Sequence, residues 1–309
     1  MITKRIIDEK GIDQTEDTVL VLGYFDGLHK GHQALFEKAR EIATEQGLKI
    51  AVLTFPESPK LAFVRYQPEL MLHLASPKDR IAQLESLGVD YLYLIDFTSH
   101  FAGNTARDFF EKYVSRLRAK AVVAGFDYHF GSDRKESHEL RDYFNGKIVI
   151  VPSVNLDNRK ISSTRIRETI TVGDMLKTQE LLGYPLSTRG IVVHVNARGR
   201  SFACPPANLA PLDRVLLPGD GVYVADVEHN GQRYRGMASV GKNVTFDGDE
   251  LRFEVNIFDF SQDIYGDSIR IFWLDKIREM VKFDGIDSLI AQLQSDERIA
   301  RSWTGYRNS

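Results

Sequence analysis

Cysteine is almost missing from this chain. Cys204 is the only one in 309 residues, which excludes an intrachain disulfide framework and fits a reducing compartment. A basic excess is missing too: 40 Lys and Arg stand against 43 Asp and Glu, a formal charge of -3. The chain therefore lacks the positive field expected of a nucleic-acid binder. No stretch approaches the roughly 18 apolar residues of a membrane span, and the opening MITKRIIDEKG has no apolar signal-peptide core. These absences point to a cytoplasmic protein whose partners are small molecules, with no nucleic acid and no membrane among them. What is present is 43% apolar residues, enough for real cores, over a length natural for two domains.

The chemistry concentrates first in residues 19–32, VLVLGYFDGLHKGH. An apolar, β-rich run stops at Gly23, passes through a turn carrying Phe25, Asp26, Gly27 and Gly31, and opens a helical pattern near His32. A strand that runs through a glycine turn into a helix brings backbone N–H groups and the positive end of a helix dipole to one point, which suits a phosphate. His29 and His32, at H-x-G-H spacing, flank that point as hydrogen-bond donors. The same pattern would also serve as an ordinary βα connection with a surface histidine pair.

Further strands follow at 49–55, 91–95, 121–124 and 147–151, alternating with helical patterns at 31–46, 76–87, 105–117 and, more charged, 135–144. Ser76-Pro77 reads as an N-cap with proline at the first helical position, and Gly47 as a helix-ending glycine. Residues 56–75 form a long loop with three prolines. Five strands alternating with helices predict an α/β, Rossmann-like parallel sheet, with ligands beyond the carboxyl ends of the strands. Two more segments fall at that edge. GFDYHFG (125–131) offers Asp127, Tyr128 and Phe130, rings that either stack on a planar ligand or complete the core. ISSTRIR (161–167) offers Ser163 and Thr164 as caps and places Arg165 and Arg167 near a helix N-terminus, where cations are unfavourable unless an anion compensates them.

Beyond a helix at 173–182 the period changes. Strand patterns at 190–195, 221–227, 234–240, 251–258 and 268–273 are separated by turn residues, with His229-Asn230-Gly231 as a hairpin signal, and predict a small antiparallel β-barrel. A helix over 286–300 follows. The expected domains are 1–185 and 186–309.

GYFDGLHKGH, GFDYHFG and ISSTRIR, in this order and spacing, resemble the adenylyltransferase module of prokaryotic FAD synthetases, which usually join it to a riboflavin kinase. The resemblance implies ATP binding by Gly23, Phe25, Asp26, Gly27, His29, Gly31, His32, Ser163, Thr164 and Arg167, with His29, His32 and Arg167 acting in catalysis. It implies flavin binding by Ser58, Asp127, Tyr128 and Phe130. The expected substrates are ATP, carried with Mg²⁺ that needs no dedicated protein ligands, and FMN; the product is FAD. Ser58 stands where the family often has His or Asn, a longer side chain.

The second half is similar to the riboflavin kinase module through Arg198-Gly199-Arg200, Pro205, Ala207-Asn208, Gly221-Val222-Tyr223, Thr245-Phe246, Asp259-Phe260, Tyr265-Gly266, Arg278 and Lys282-Phe283. Two positions depart from it. Pro206 replaces the threonine of P-T-A-N and has neither a hydroxyl nor an N–H to offer. Met280 replaces the glutamate of R-x-E-x-K-F, to which the resemblance assigns the role of base, and Glu279 is one residue out of place. Ala203-Cys204 and Ser239 also differ from the family pattern. The sequence thus predicts an FMN adenylyltransferase with a degenerate, inactive kinase-like domain. The alternatives are a bifunctional riboflavin kinase/FAD synthetase and a non-catalytic flavin-binding regulatory protein whose second domain serves as a sensor or a surface for self-association.

Overall fold

The computed structural model describes residues 1–194, 206–242 and 251–305, grouped into two compact units, Met1–Ser163 and Thr164–Ser309. This division falls ahead of the expected one at 185/186, so that the two helices after residue 163 group with the barrel.

The first unit is built on six parallel strands, β1 (Ile2–Ile6), β2 (Thr18–Leu22), β3 (Lys49–Thr54), β4 (Tyr91–Ile95), β5 (Ala119–Gly125) and β6 (Lys147–Val151), in the order β1-β4-β3-β2-β5-β6. β2 is buried along its whole length. Leu20 and Leu22 pack on one face of the sheet, Val19 and Val21 on the other, as a parallel strand covered on both sides requires. The chain runs outward from β2 through β3 and β4, then crosses back to place β5 on the other side of β2. The order therefore reverses between β2 and β5, and the carboxyl ends of these strands frame the crevice where such sheets bind ligands.

β1 is a strand the sequence pattern did not predict. It pairs with β4 at the sheet edge, and three of its five residues are exposed. An edge strand carrying Lys4 and Arg5 lacks the apolar run that marks a central one. The helices largely follow their signals. α1 (Lys30–Gln46) ends at Gly47 with φ 65°, and α2 (Pro77–Ser86) starts after Ser76, whose Oγ accepts the Asp79 N–H at 3.1 Å. α3 (Ala106–Phe109) is shorter than expected and continues as a π-helical turn over Phe110–Val114. The helix expected over 135–144 is instead a hairpin strand, Lys135–Glu136 paired with His129–Phe130, followed by a 3-10 turn, Ser137–Asp142.

In the second unit, α4 (opened by Ser163, Ser163–Val172) and α5 (Met175–Leu182) precede a closed six-stranded barrel. Its strands are β7 (Ser187–Val193), β8 (Ala207–Pro211), β9 (Gly221–His229), β10 (Gln232–Lys242), β11 (Leu251–Ile257) and β12 (Ser268–Arg278), in the order β7-β8-β11-β10-β9-β12 with β12 closing on β7. Five strands were predicted; β8, whose ANLAP carries a weak apolar pattern, completes the closure. Asn230 (φ 49°) and Gly231 (φ 78°) make the predicted tight hairpin between β9 and β10, both in the left-handed region that this turn type demands. Tyr223, Phe253 and Trp273 pack edge-on or stacked inside the barrel. The C-terminal helix α6 (Ile286–Ser302) lays Leu293, Ala300 and the following Trp303 on Val224, Met237, Phe272 and Leu274 of its outer face. Arg278 anchors that helix through the fully buried Asp296, with Nε to Oδ2 at 2.9 Å. Residues 198–200, 203–205 and 245–246 lie outside the described residues.

Candidate active sites

In the first unit the site begins where β2 ends. A Cβ on Gly23 would lie 2.7 Å from the Phe25 ring, so only glycine fits. Phe25 (φ 60°), Gly27 (φ 76°) and Leu28 (φ 37°) are all left-handed, which for the two non-glycine residues costs on the order of 1–3 kcal/mol each. Burial compensates for this strain. The Phe25 ring packs edge-on against His32 at 5.3 Å and tilted against Phe36 at 5.1 Å, and Leu28 is buried. Asp26 Oδ1 accepts the Leu74 N–H at 2.9 Å and its carbonyl accepts Ser163 Oγ at 3.2 Å. Both Phe25 and Asp26 are buried, so they build the turn from within.

His29 is the N-cap of α1, its Nδ1 accepting the His32 N–H at 3.3 Å. The two imidazoles stack 3.7 Å apart at 15°. Gly31 permits this, since a Cβ there would stand 3.1 Å from the His29 ring and 3.6 Å from the Ile161 carbonyl. Burial brings the His29 pKa down to about 4 and holds His32 well below its ordinary value, with the Lys160 ammonium adding to both shifts. Both rings are therefore neutral at pH 7. With Nδ1 of His29 accepting, its proton is on Nε2, which makes that atom a donor. His32 Nδ1 is buried with no hydrogen-bond partner among the described residues. A neutral donor beside an orphaned ring nitrogen suits phosphate oxygens, and it fits an Mg²⁺ carried on those phosphates rather than one seated on carboxylates.

Lys160, at the end of the hairpin Asn155–Leu156/Arg159–Lys160, was missed by the sequence reading. Its ammonium pairs with the Asp127 carboxylate and lies 4.5 Å from the centre of the Phe126 ring. The only signal was its place directly before ISSTRIR. The structure thus gathers His29, His32, Asp26, Asp127 and Ser163 about one turn, with Lys160 among them. Other expected residues sit differently. The Phe130 ring is in the core against Phe110 and Tyr143, with Tyr128 stacked on it at 6.2 Å, so Phe126 is the exposed ring of this loop. Ser58 Oγ accepts the Lys60 N–H at 3.3 Å and caps a 3-10 turn. Thr164 and Arg167 belong to the second unit, in the first two turns of α4, Thr164 exposed and Arg167 half-buried.

The second candidate site lies on the barrel's outer face. Asn208 of β8 pairs with Glu254 of β11, which pairs with Ser239 of β10. Directly opposed residues share a face, so these three side chains form a row. Burial raises the Glu254 pKa, with Arg252 opposing it. Pro206 precedes β8 and is exposed. Met280 stands over Gly241, where a Cβ would come 3.2 Å from its Cγ, and Glu279 is held by Lys276 Nζ at 2.7 Å. Glu254 is therefore the carboxylate of this row, while Glu279 is engaged by Lys276. Its signal was a lone carboxylate between the inward-facing Phe253 and Val255.

The family model for FAD synthetase matches residues 11–165 and that for riboflavin kinase residues 182–304. Bifunctional riboflavin kinase/FMN adenylyltransferase of Listeria monocytogenes is 39% identical over 92% of this chain and 92% of its own length. The protein of the same name from Bacillus subtilis is 36% identical over 93% of each chain. A crystal structure from Streptococcus pneumoniae, described as a macrolide-efflux protein, superposes with a TM-score of 0.95 at 54% identity, over 98% of this chain and all of that one. No helix among the described residues of this chain is long and apolar enough to cross a membrane. ATP with Mg²⁺ and FMN or riboflavin are the substrates of the matched domains, and FAD is their product. With both modules present in order, this chain belongs to the prokaryotic FAD synthetase family, the riboflavin kinase/FMN adenylyltransferases.

Proposed function

We propose that the first unit transfers AMP from ATP to FMN, releasing pyrophosphate. The observation that carries this reading is the stacked, neutral His29/His32 pair at the carboxyl end of β2, in a chain whose FAD synthetase match spans that segment. An FMN phosphate oxygen attacks the α-phosphorus, a new P–O bond forms, and the bond to pyrophosphate breaks. No covalent enzyme intermediate is needed, and positioning with charge stabilisation supplies most of the rate. His29 Nε2–H donates to the phosphates, His32 Nδ1 takes its missing partner there, and Lys160 adds a cation. Ser163 holds the triphosphate; Gly23, Gly27 and Gly31 keep the turn open to it. Mg²⁺ bound to ATP would offset phosphate charge. Asp127 and Tyr128 face the flavin, with Ser58 and Phe130 acting through the loops they fix.

For the barrel, the bifunctional relatives and the riboflavin kinase match favour kinase activity over the expected loss of it. Glu254 takes the proton from the riboflavin hydroxyl, which removes Met280 as an argument for an inactive domain. Pro206 is the specific observation behind the second reading, adenylyltransferase activity alone, because it withdraws a hydroxyl that would face metal and phosphate. A cytoplasmic site of action goes with either. The test is to supply purified protein with ATP, Mg²⁺ and either FMN or riboflavin and to resolve the flavins. FAD from FMN supports the adenylyltransferase, and FMN from riboflavin the kinase. No product from either favours a binding protein.

A further inference from the structure

Arg80 of α2 is buried in the first unit, at 4% exposure, and neither sequence motif nor proposed chemistry accounts for it. Its Nη2 donates to the Phe55 carbonyl at 2.8 Å and its Nη1 to the Tyr24 carbonyl at 3.4 Å. Tyr24 and Phe55 follow the adjacent strands β2 and β3. One leads into the strained turn, the other into the segment that carries Ser58. The Tyr24 carbonyl also accepts Thr54 Oγ1 at 3.0 Å, and the Arg80 guanidinium lies 5.5 Å from the Tyr24 ring centre. Around this fork stand the charges of Asp26 and Glu57, and His73, whose Nδ1 is 3.3 Å from Tyr24 Oη and whose Nε2 is 3.3 Å from Glu57. Arg80 Nε has no hydrogen-bond partner among the described residues, so a buried arginine is held here for its two carbonyl bonds rather than for a fully satisfied network.

The residues that follow Tyr24 need such a clamp. Phe25 and Leu28 occupy left-handed backbone, a conformation that persists only when surrounding structure over-determines it. Packing fixes the side chains of the turn, and Asp26 ties it to Leu74; the backbone at the start of the turn is fixed by Arg80 and Thr54. We propose that Arg80 is a positioning residue for FAD synthesis: its planar fork locks the start of the Gly23–His32 turn to the end of β3 and so sets the His29/His32 pair against the substrates. This rests on the adenylyltransferase reading given above. Lysine keeps the charge but has no rigid fork, and an ångström of displacement at a site of this kind costs on the order of a hundredfold in rate.

The experiment compares wild type with Arg80→Lys and Arg80→Met by steady-state FAD formation, thermal melting, and NMR of the labelled imidazoles of His29 and His32 without substrate. In Arg80→Lys, kcat falls about ten- to a hundredfold and KM for ATP changes less than about threefold, while the protein stays folded at the assay temperature and both imidazole signals shift. Arg80→Met falls further. An Arg80→Lys kcat within twofold of wild type overturns the inference, as does a loss matched by the unfolded fraction. If wild type itself makes no FAD, the adenylyltransferase reading fails, and the imidazole spectra alone decide on Arg80: unchanged signals in Arg80→Lys refute the clamp, and shifted ones sustain it.

Discussion

The two units build their sites in opposite ways. In the first, ten consecutive residues from Gly23 to His32 form the turn proposed to cradle phosphate, and its geometry is local: left-handed backbone, an N-cap and a stack of two rings. In the second, Asn208, Ser239 and Glu254 come from three strands and meet only because β8, β11 and β10 are paired. A site made by a local turn is defended by strain and burial, so changes within it act on geometry. A site made by a row across strands keeps its frame when one side chain changes. That contrast explains how the barrel can retain its closure, its buried Trp273 and its docked C-terminal helix while carrying proline at position 206.

The contrast can be broken most sharply at Glu254. Glu254→Gln is expected to lower riboflavin phosphorylation by on the order of 10²–10⁴, the contribution of a lost general base, while FAD formation from FMN stays within about twofold because the frame is untouched. Equal loss of both activities would mean that the row supports the fold rather than the chemistry. Next in size, His32→Ala should reduce FAD formation about ten- to a thousandfold through the lost transition-state contact, leaving riboflavin phosphorylation as it was; an unaltered FAD rate removes His32 from the mechanism.

Acid stability sharpens the difference further. The folded pKa of His29 is about 4 against 6.5 for an ordinary histidine, so between these values the unfolded chain binds a proton that the folded chain does not. The stability this confers is fully present above pH 6.5 and is lost as pH falls toward 4, by on the order of 2–3 kcal/mol. Denaturant titrations of wild type and His29→Gln from pH 7 to 4 should show the slope shrinking in the variant, and equal slopes would contradict the assignment. The smallest effect is expected for Pro206→Thr, which restores a hydroxyl and an N–H on an intact frame. Riboflavin phosphorylation should rise about tenfold, the worth of one charge-assisted contact. No rise would show that the proline costs the site nothing.

The two kinds of site also differ in how far the sequence reveals them. The turn was legible because its signals are contiguous: a buried apolar run, glycines, and histidines at the mouth of a helix. The parallel sheet followed from alternating strands and helices, and the hairpin at Asn230-Gly231 from its turn chemistry. β1 and β8 were not legible, since each gains its place from pairing rather than from an apolar pattern of its own. Lys160 was hidden for a related reason, as its role depends on a hairpin bringing it to Asp127. Phe130 looked like a ligand-facing ring because spacing does not distinguish a core aromatic from an exposed one; its neighbour Phe126 is the exposed ring. Glu254 carries no contiguous signal, since only strand pairing puts this half-buried carboxylate opposite Asn208.

The measurement that tests the account most directly is to give riboflavin, ATP and Mg²⁺ to wild type and to His32→Ala, and to follow FMN and FAD over time. Two separate sites predict that wild type carries riboflavin through FMN to FAD, and that His32→Ala accumulates FMN with FAD formation slowed about ten- to a thousandfold. FAD appearing in the variant at the wild-type rate would contradict the assignment of FAD synthesis to the turn at Gly23–His32.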